Sequence, residues 1–508
     1  MISLPPIRRP AAPPLRFRLV LPWLFLLFCL LASVGGWLGW YDPSAWSQFR
    51  VDWGNPAIVL LVYASSASIL AIALYWVVKN GAIDLLSLWL GQEALGLFGY
   101  FYLDQTAAYV PQSETAILGI SALLVLIAAV GYAFFFFSVG TTWGLTRAFR
   151  FPLTPLPAPP DDLDRRLLIL CRLLSLYCLF AIALPMALSG SIPLLSEAGS
   201  QSRLEFANVS DAGRALYNLG TALLPFILGC LTVSIFRRPR RIFGWDGICA
   251  VTLSVAQLLT SNRAPLMFGL AVAISLLSFC FRWPRWLLVV AYLGYLFAVV
   301  FLGGFTSLLR THPRSLLEPD WFTRSLESAY LGDNIIDVRD GSWVFSNWDF
   351  RPLLGETYLG GLVSMVPSGV FPQKKQWNIG LIGVRMVGMS DTEHLGLRVT
   401  SFGESFLNFG WLGVVFLGTA FGAVVGILRR KIQLAGAERR CLWWSLLVMI
   451  GLRCAMTMTN TGDAFTFWGL AGFLGLIWIF VTFPAKRYAR LARQGGKGGK
   501  DGRKGAKR

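Results

Sequence analysis

The chain reads as an all-α polytopic membrane protein, and three observations carry that reading. Hydrophobic residues make up 55% of the 508 positions and charged residues only 14%, with a mean hydropathy of +0.59. Apolar runs long enough to cross about 30 Å of hydrocarbon recur along most of the sequence. Basic residues gather between alternate runs. No soluble core could bury so much apolar sequence. The formal charge of +18 is scattered among short segments, without the basic stripe that a nucleic-acid-binding face needs.

Residues 1–18 form a basic cytoplasmic N-terminus, with Arg8, Arg9, Arg16 and Arg18. The apolar run behind them lacks a convincing signal cleavage site, so it reads as an uncleaved first span over 19–40. Further spans are expected at 56–78, 83–103, 115–139, 167–188, 214–236, 243–261, 265–282 and 286–305, then at 404–428, 441–459 and 465–484. The total is about 12 transmembrane helices, within a range of 10–12. The weakest is 83–103, whose Asp84, Gln92 and Glu93 also suit an interfacial or re-entrant segment. The segments at 243–261 and 265–282 are short, and Asn262-Arg263-Ala264-Pro265 between them reads as a turn or a break within the membrane. Residues 154–163 form a Pro-rich linker.

Four regions follow from this map: transmembrane helices one to nine over 19–305, a long polar loop over 306–403, three more spans over 404–484, and a Gly-rich basic tail over 485–508. Such a tail, without apolar periodicity, is expected to be disordered along an anionic inner leaflet. With a cytoplasmic N-terminus, the inside segments collect thirty of the forty-five basic residues, while the short outside loops hold only Arg50, Arg203, Arg214 and Arg263. That asymmetry satisfies the positive-inside rule at nearly every crossing. It places both termini inside and the 306–403 loop outside.

The loop concentrates the reactive groups. Both histidines, eleven of the twenty-seven carboxylates (counting Glu404 at its edge) and nine basic residues lie there. Arg310, His312 and Arg314 follow the ninth span, where solvated contacts with lipid headgroups are the plain alternative to a ligand. The run from Ser325 to Trp343 has apolar residues at helical spacing and reads as one amphipathic helix lying on the membrane, its acids forming a solvated face. Within the apolar segments, Arg172 can snorkel to the inner face. Arg263 and Arg453 sit near the outer boundary, where an arginine is costly unless it meets an anion or water.

The eight cysteines all fall in or beside apolar segments and read as small apolar residues, with neither a disulfide framework nor zinc spacing. No P-loop, dinucleotide fingerprint, HExxH or DxD-like pair occurs. A substrate is therefore expected from the membrane or the outside, already activated, with no cofactor and no metal.

Two elements of the loop are distinctive. One is Gly355-Glu356-Thr357-Tyr358-Leu359, followed by Val366-Pro367 and by Phe371-Pro372-Gln373-Lys374-Lys375. The other is Gly403-Glu404-Ser405-Phe406-Leu407-Asn408-Phe409-Gly410 with Gly413. In order and spacing they resemble the Wzy-type O-antigen, or oligosaccharide repeat-unit, polymerase family: a GETYL-like turn, an apolar stretch ending in proline, an FPxKP-like element and a GE-aromatic-x-NFG pattern. Lys375 and Phe406 depart from the proline and tyrosine common there. The resemblance covers about sixty residues closely.

The resemblance implies a GT-C-like membrane fold in a bacterial inner membrane. The implied activity is block transfer of a glycan from one undecaprenyl diphosphate carrier onto a repeat unit held by a second, making O-antigen or exopolysaccharide. A flippase and a chain-length regulator of the same pathway are the implied partners, besides the lipid-linked oligosaccharide and membrane lipid; no nucleic acid is involved. Such chemistry calls for cations on the departing diphosphate, for which Arg263, Arg385, Arg398, Arg453 and Arg310 are the candidates. It also calls for a base on the acceptor hydroxyl, with His394, Glu356 and Glu404 as candidates. Tyr358, Lys374, Lys375, Trp377 and Asn408 are the residues expected to hold glycan.

Each candidate has a structural alternative. Glu404 would cap the helix that it opens, Glu356 would accept backbone N–H groups in its own turn, and His394 would hydrogen-bond within the loop. Asn408, Gly410 and Gly413 would serve close helix packing. The rival activities are ligase-like transfer to another acceptor and, from a different class, a lipid-linked glycan flippase or polysaccharide transporter. A twelve-span transporter should show two similar halves and a large central inside loop, neither of which is evident.

Overall fold

A computed structural model describes residues 56–98, 114–148, 163–194, 211–260, 262, 264–311, 318–331, 337–349, 351–366, 369–390, 396–436 and 442–479. Their regular structure is entirely helical, with no strand among them. The helices are α1 (Pro56–Asn80), α2 (Leu85–Phe98), α3 (Glu114–Ala148), α4 (Leu163–Ser189), α5 (Asp211–Arg237), α6 (Trp245–Leu259), α7 (Ala264–Cys280) and α8 (Arg285–Thr311). There follow α9 (Trp321–Leu331), α10 (Asp337–Ser346), α11 (Glu356–Leu362), α12 (Ile379–Met386), α13 (Gly403–Gly436), α14 (Leu442–Met456) and α15 (Ala464–Ile477).

A helix stands at every expected span except 19–40, which lies outside the described residues along with the basic tail. Five helices, α3, α4, α5, α8 and α13, are long and apolar enough to cross a membrane, so a multi-pass membrane protein is what the fold describes. By length α6 and α14, of 15 residues each, reach only about 22 Å, and α15, of 14, about 21 Å. Helices α14 and α15 border residues outside the described ranges, so theirs are the lengths of the described segments.

Glycine permits a close contact between two helices of the bundle. Gly418, Gly422 and Gly426 recur every fourth residue along α13 and lie against α3, and a Cβ at Gly418 or Gly422 would sit 2.6 Å from the Gly131 carbonyl oxygen or 2.4 Å from that of Phe135. Small residues at this spacing let two backbones approach where lipid supplies no hydrophobic drive for association. Beside this pair α2 is enclosed: Ile83, Leu85, Leu86, Leu88 and Leu90 are all at most 1% exposed. The Tyr292 hydroxyl donates to the Ser87 carbonyl at 2.9 Å and the Ser66 hydroxyl to that of Ala94 at 2.7 Å. The segment expected to be weakest is thus a buried internal helix, with neighbours taking up its polar atoms.

At the end of the bundle opposite the loop, two buried carboxylates, Asp84 and Asp246, and the partly exposed Asp164 tie helices together. Asp84 accepts from the Arg429 guanidinium at 2.7 Å and from the Ser87 amide at 2.7 Å, and that guanidinium also lies 3.6 Å from the Trp76 ring centroid. Asp246 accepts from Arg172 at 2.7 Å and from Ser234 at 2.6 Å. Asp164 takes Arg237 at 2.8 Å and the Trp443 amide at 3.1 Å, so it serves the first turn of α14 from another helix. Arg172, expected to snorkel freely, has an acidic partner instead.

The loop end departs from expectation in one respect. The run from Ser325 to Trp343 is divided between α9 and α10. Helix α9 packs on α8, with Trp321 and Phe322 against Phe301 at ring distances of 5.9 and 5.4 Å. Helix α10 does not lie on the membrane by one face: Val338, Ser342, Val344 and Phe345 are buried, and the Ser342 hydroxyl is 2.6 Å from that of Ser121 on α3. Asp340, read as part of a solvated face, is 5% exposed and pairs with Arg339 at 3.1 Å. The apolar periodicity was right, but it marks contact with the bundle.

Candidate functional site

Two short hairpins shape the loop end. Helices α6 and α7 are joined at 260–263, and α14 and α15 at 457–463, with both connections in otherwise apolar surroundings. Irregular backbone at such a depth persists only where its polar groups are satisfied or face a cavity. In the first hairpin, buried Gln257 donates to the Asn262 carbonyl at 2.9 Å and to the Thr260 hydroxyl at 3.1 Å; Asn262 donates to the Tyr217 hydroxyl at 3.3 Å. In the second, the Thr461 amide donates to Glu404 at 2.7 Å and the Thr461 hydroxyl bonds the same carboxylate, while the Gly462 amide donates to Asn460 at 2.9 Å.

Both connections line one cavity of about 540 Å³, walled also by α2, α5, α7, α8 and residues 398–401. It unites Arg398 and Arg453 with Gln92, Glu93, Asn218, Asn262, Tyr295 and Asn460. Arg453 lies with its guanidinium 5.0 Å from the Phe268 ring centroid, a cation–π contact that holds it to the wall. Gln92 donates to the Tyr295 hydroxyl at 2.6 Å. Two cations, one carboxylate and neutral hydrogen-bonding groups among apolar side chains suit an amphipathic anion, because arginine grips phosphate oxygens bidentately.

Glu93 is the one carboxylate among the described lining residues. Sequence reading took it only as a weakness in a span. Its signal was an acid one residue after Gln92 in a run otherwise apolar enough to be buried.

The two distinctive loop elements meet in space, although about fifty residues separate them. The Asn408 side chain accepts from the Gly355 amide at 2.9 Å and donates to the Thr357 hydroxyl at 2.8 Å, while the Leu353 and Leu354 amides donate to the carbonyls of Leu407 and Asn408 at 3.0 and 3.1 Å. Thr357 also bonds the Glu404 carboxyl group. Glu404 is therefore fully buried at the junction of α11, α13 and the second hairpin, with its oxygens taken by Thr461 and Thr357. It braces three elements, a wider role than capping its own helix. Asn408 has its amide engaged within the protein, which favours a structural part over contact with glycan. Gly410, buried, also kinks α13: at φ 58°, ψ −149° it takes a backbone region where side chains are disfavoured.

The other expected residues scatter. Glu356 is exposed on the first turn of α11 and makes no side-chain cap. Tyr358 stacks on Phe409 with centroids 6.1 Å apart, and burial, with Glu404 nearby, pushes its phenol well above the ordinary value. Lys374 donates to the carbonyls of Ser364, at 3.1 Å, and Val366. Lys375 and Arg385 are exposed, and Trp377 is half-buried against Phe371 at 5.3 Å. Arg263 and His394 lie outside the described residues, as does the side chain of Arg310. Among the described residues no three His, Cys, Asp or Glu side chains converge as metal ligands.

Compared with protein families, with curated proteins and with solved structures, the chain finds no match.

Proposed function

We propose that this chain is a membrane glycosyltransferase of the repeat-unit polymerase type, acting on lipid-linked glycans at the outer face of a bacterial inner membrane. The observation that supports it best is the gathering of Arg398 and Arg453 into one cavity of mixed polar and apolar lining, bordered by the hairpin that Glu404 of the clasped GETYL and GESFLNFG elements holds. In this reading the chain has about twelve crossings in a GT-C-like arrangement, with both termini in the cytoplasm.

The donor glycan enters on its polyprenyl diphosphate, with the phosphates against Arg398 and Arg453. The acceptor hydroxyl oxygen attacks the anomeric carbon, forming the glycosidic bond as the bond from that carbon to the diphosphate breaks. The departing diphosphate takes the bonding electron pair, and the arginines stabilise the charge that develops there. The hydroxyl proton passes to a carboxylate or imidazole facing the cavity. Glu93, which lines the cavity, is the candidate for that role among the described residues, and His394 stays a candidate from sequence; Glu356, exposed on α11 away from that lining, and Glu404, engaged as a brace, are less suited.

The test is extension of a lipid-linked repeat unit by the purified chain in proteoliposomes. Longer lipid-linked glycan without added nucleotide or divalent metal is expected. Strict dependence on either would sink the scheme, and transbilayer movement of the repeat unit without a new glycosidic bond would assign the chain to the flippase class.

A further inference from the structure

We propose that the apolar residues of 353–366 and 369–370, expected from sequence to belong to an extracytoplasmic loop, are embedded in the lipid bilayer beside α13, with exposed Glu356 at the headgroup level. This rests on the membrane-spanning character of α13 and goes beyond the glycosyltransferase reading. The first observation is depth. The amides of Leu353 and Leu354 bond the carbonyls of Leu407 and Asn408, one turn inside the apolar span Gly403–Arg429. Whatever depth α13 has in the membrane at Asn408, Leu354 shares it.

The second observation is the face turned outward. Helix α11 buries Thr357, Gly360 and Gly361 and leaves Leu359 and Leu362, three positions apart, 51% and 62% exposed. Leu354 before it and Val370 after it are 75% and 74% exposed. Leu354 also adopts φ 49°, a left-handed conformation unusual for a residue other than glycine. Phe409 on α13, stacked on Tyr358, is 42% exposed, and Phe416 beyond the Gly410 kink is 75% exposed, so the exposed apolar residues of this segment adjoin those of a spanning helix. Contiguous exposed apolar residues of this kind mark a surface that something apolar covers.

The third observation names the cover. Lys374 reaches back to the carbonyls of Ser364 and Val366, supplying donors where irregular backbone has no water. Exposed Lys375 follows in the chain, and an ammonium beside an apolar surface snorkels to lipid phosphates. An apolar face with a cationic rim fits the acyl and phosphate layers of a phospholipid leaflet.

Photo-crosslinking tests this in the full-length chain. p-Benzoylphenylalanine replaces Leu362, Phe416 or Asp349 in turn, and each monodisperse protein is reconstituted into vesicles of phosphatidylethanolamine and phosphatidylglycerol. Lipid adducts are expected at Leu362 in a yield comparable to Phe416 and about tenfold above exposed Asp349. A yield at Leu362 no higher than at Asp349, with Phe416 reacting, overturns the proposal. So does a chain-to-chain adduct at Leu362, which would give the surface to a second copy. No glycan substrate is present, so the outcome is independent of the proposed activity.

Discussion

Glu404 provides the sharpest test of how the loop end is built. Replacing it with alanine orphans the Thr461 amide, which donates at 2.7 Å, and removes the acceptor for the Thr461 and Thr357 hydroxyls, all beside a carboxylate with no exposure. A buried N–H left unpaired costs about 1–3 kcal/mol, and each hydroxyl bond about 0.5–1.5 kcal/mol net. Glu404→Ala should therefore loosen the second hairpin by about 2–6 kcal/mol. Hydrogen exchange measures this locally: the Thr461 amide should exchange about tenfold faster for each 1.4 kcal/mol lost. Glu404→Gln keeps one acceptor oxygen and should lose only part of that protection. Unchanged exchange at Thr461 in Glu404→Ala would refute the bracing role. Loss of glycan extension in Glu404→Gln with full protection retained would return Glu404 to the list of bases.

Asp84→Ala should cost about 3–5 kcal/mol, since it strands Arg429 at 8% exposure; thermal melting in detergent reads the loss, and an unchanged melting temperature would contradict it. Arg453→Ala should slow chain extension by on the order of 10²-fold with little change in melting temperature, as removing one charge-stabilising group does; normal rates would take Arg453 out of the mechanism. Gly304→Ala would set a Cβ 1.5 Å from the Ser325 carbonyl oxygen. It should push α9 off α8 at a cost of about 1–3 kcal/mol, seen as faster exchange over 321–331. Gln257→Leu should likewise expose the 260–262 turn, and equal protection there would show that Gln257 is not its support.

The helices were legible because membrane segments advertise themselves through apolar length alone, and all eleven expected spans among the described residues carry one. What hydropathy does not report is which helices are enclosed. Residues 83–98 look weak by composition because Asp84 and Glu93 interrupt them, yet α2 is among the most buried elements, its Asp84 satisfied by Arg429 from 345 positions away. The packing role of Gly418, Gly422 and Gly426 emerged only when α13 was seen against α3. Among the site residues, Arg398 and Arg453 share a cavity because their elements converge, while Lys374 and Asn408 spend their donors inside the protein.

Composition, apolar run length and the placement of arginine and lysine were enough to determine an all-helical membrane chain, since those properties depend on transfer between water and lipid residue by residue. The two loop motifs could also be recognised as distinctive from their order. That they form one clasp, that Glu404 braces a neighbouring hairpin, and that Glu93 lines one cavity with the arginines were decided only in three dimensions. A hydrogen bond between residues some fifty positions apart depends on how whole helices pack, and no local pattern of residues encodes that distance.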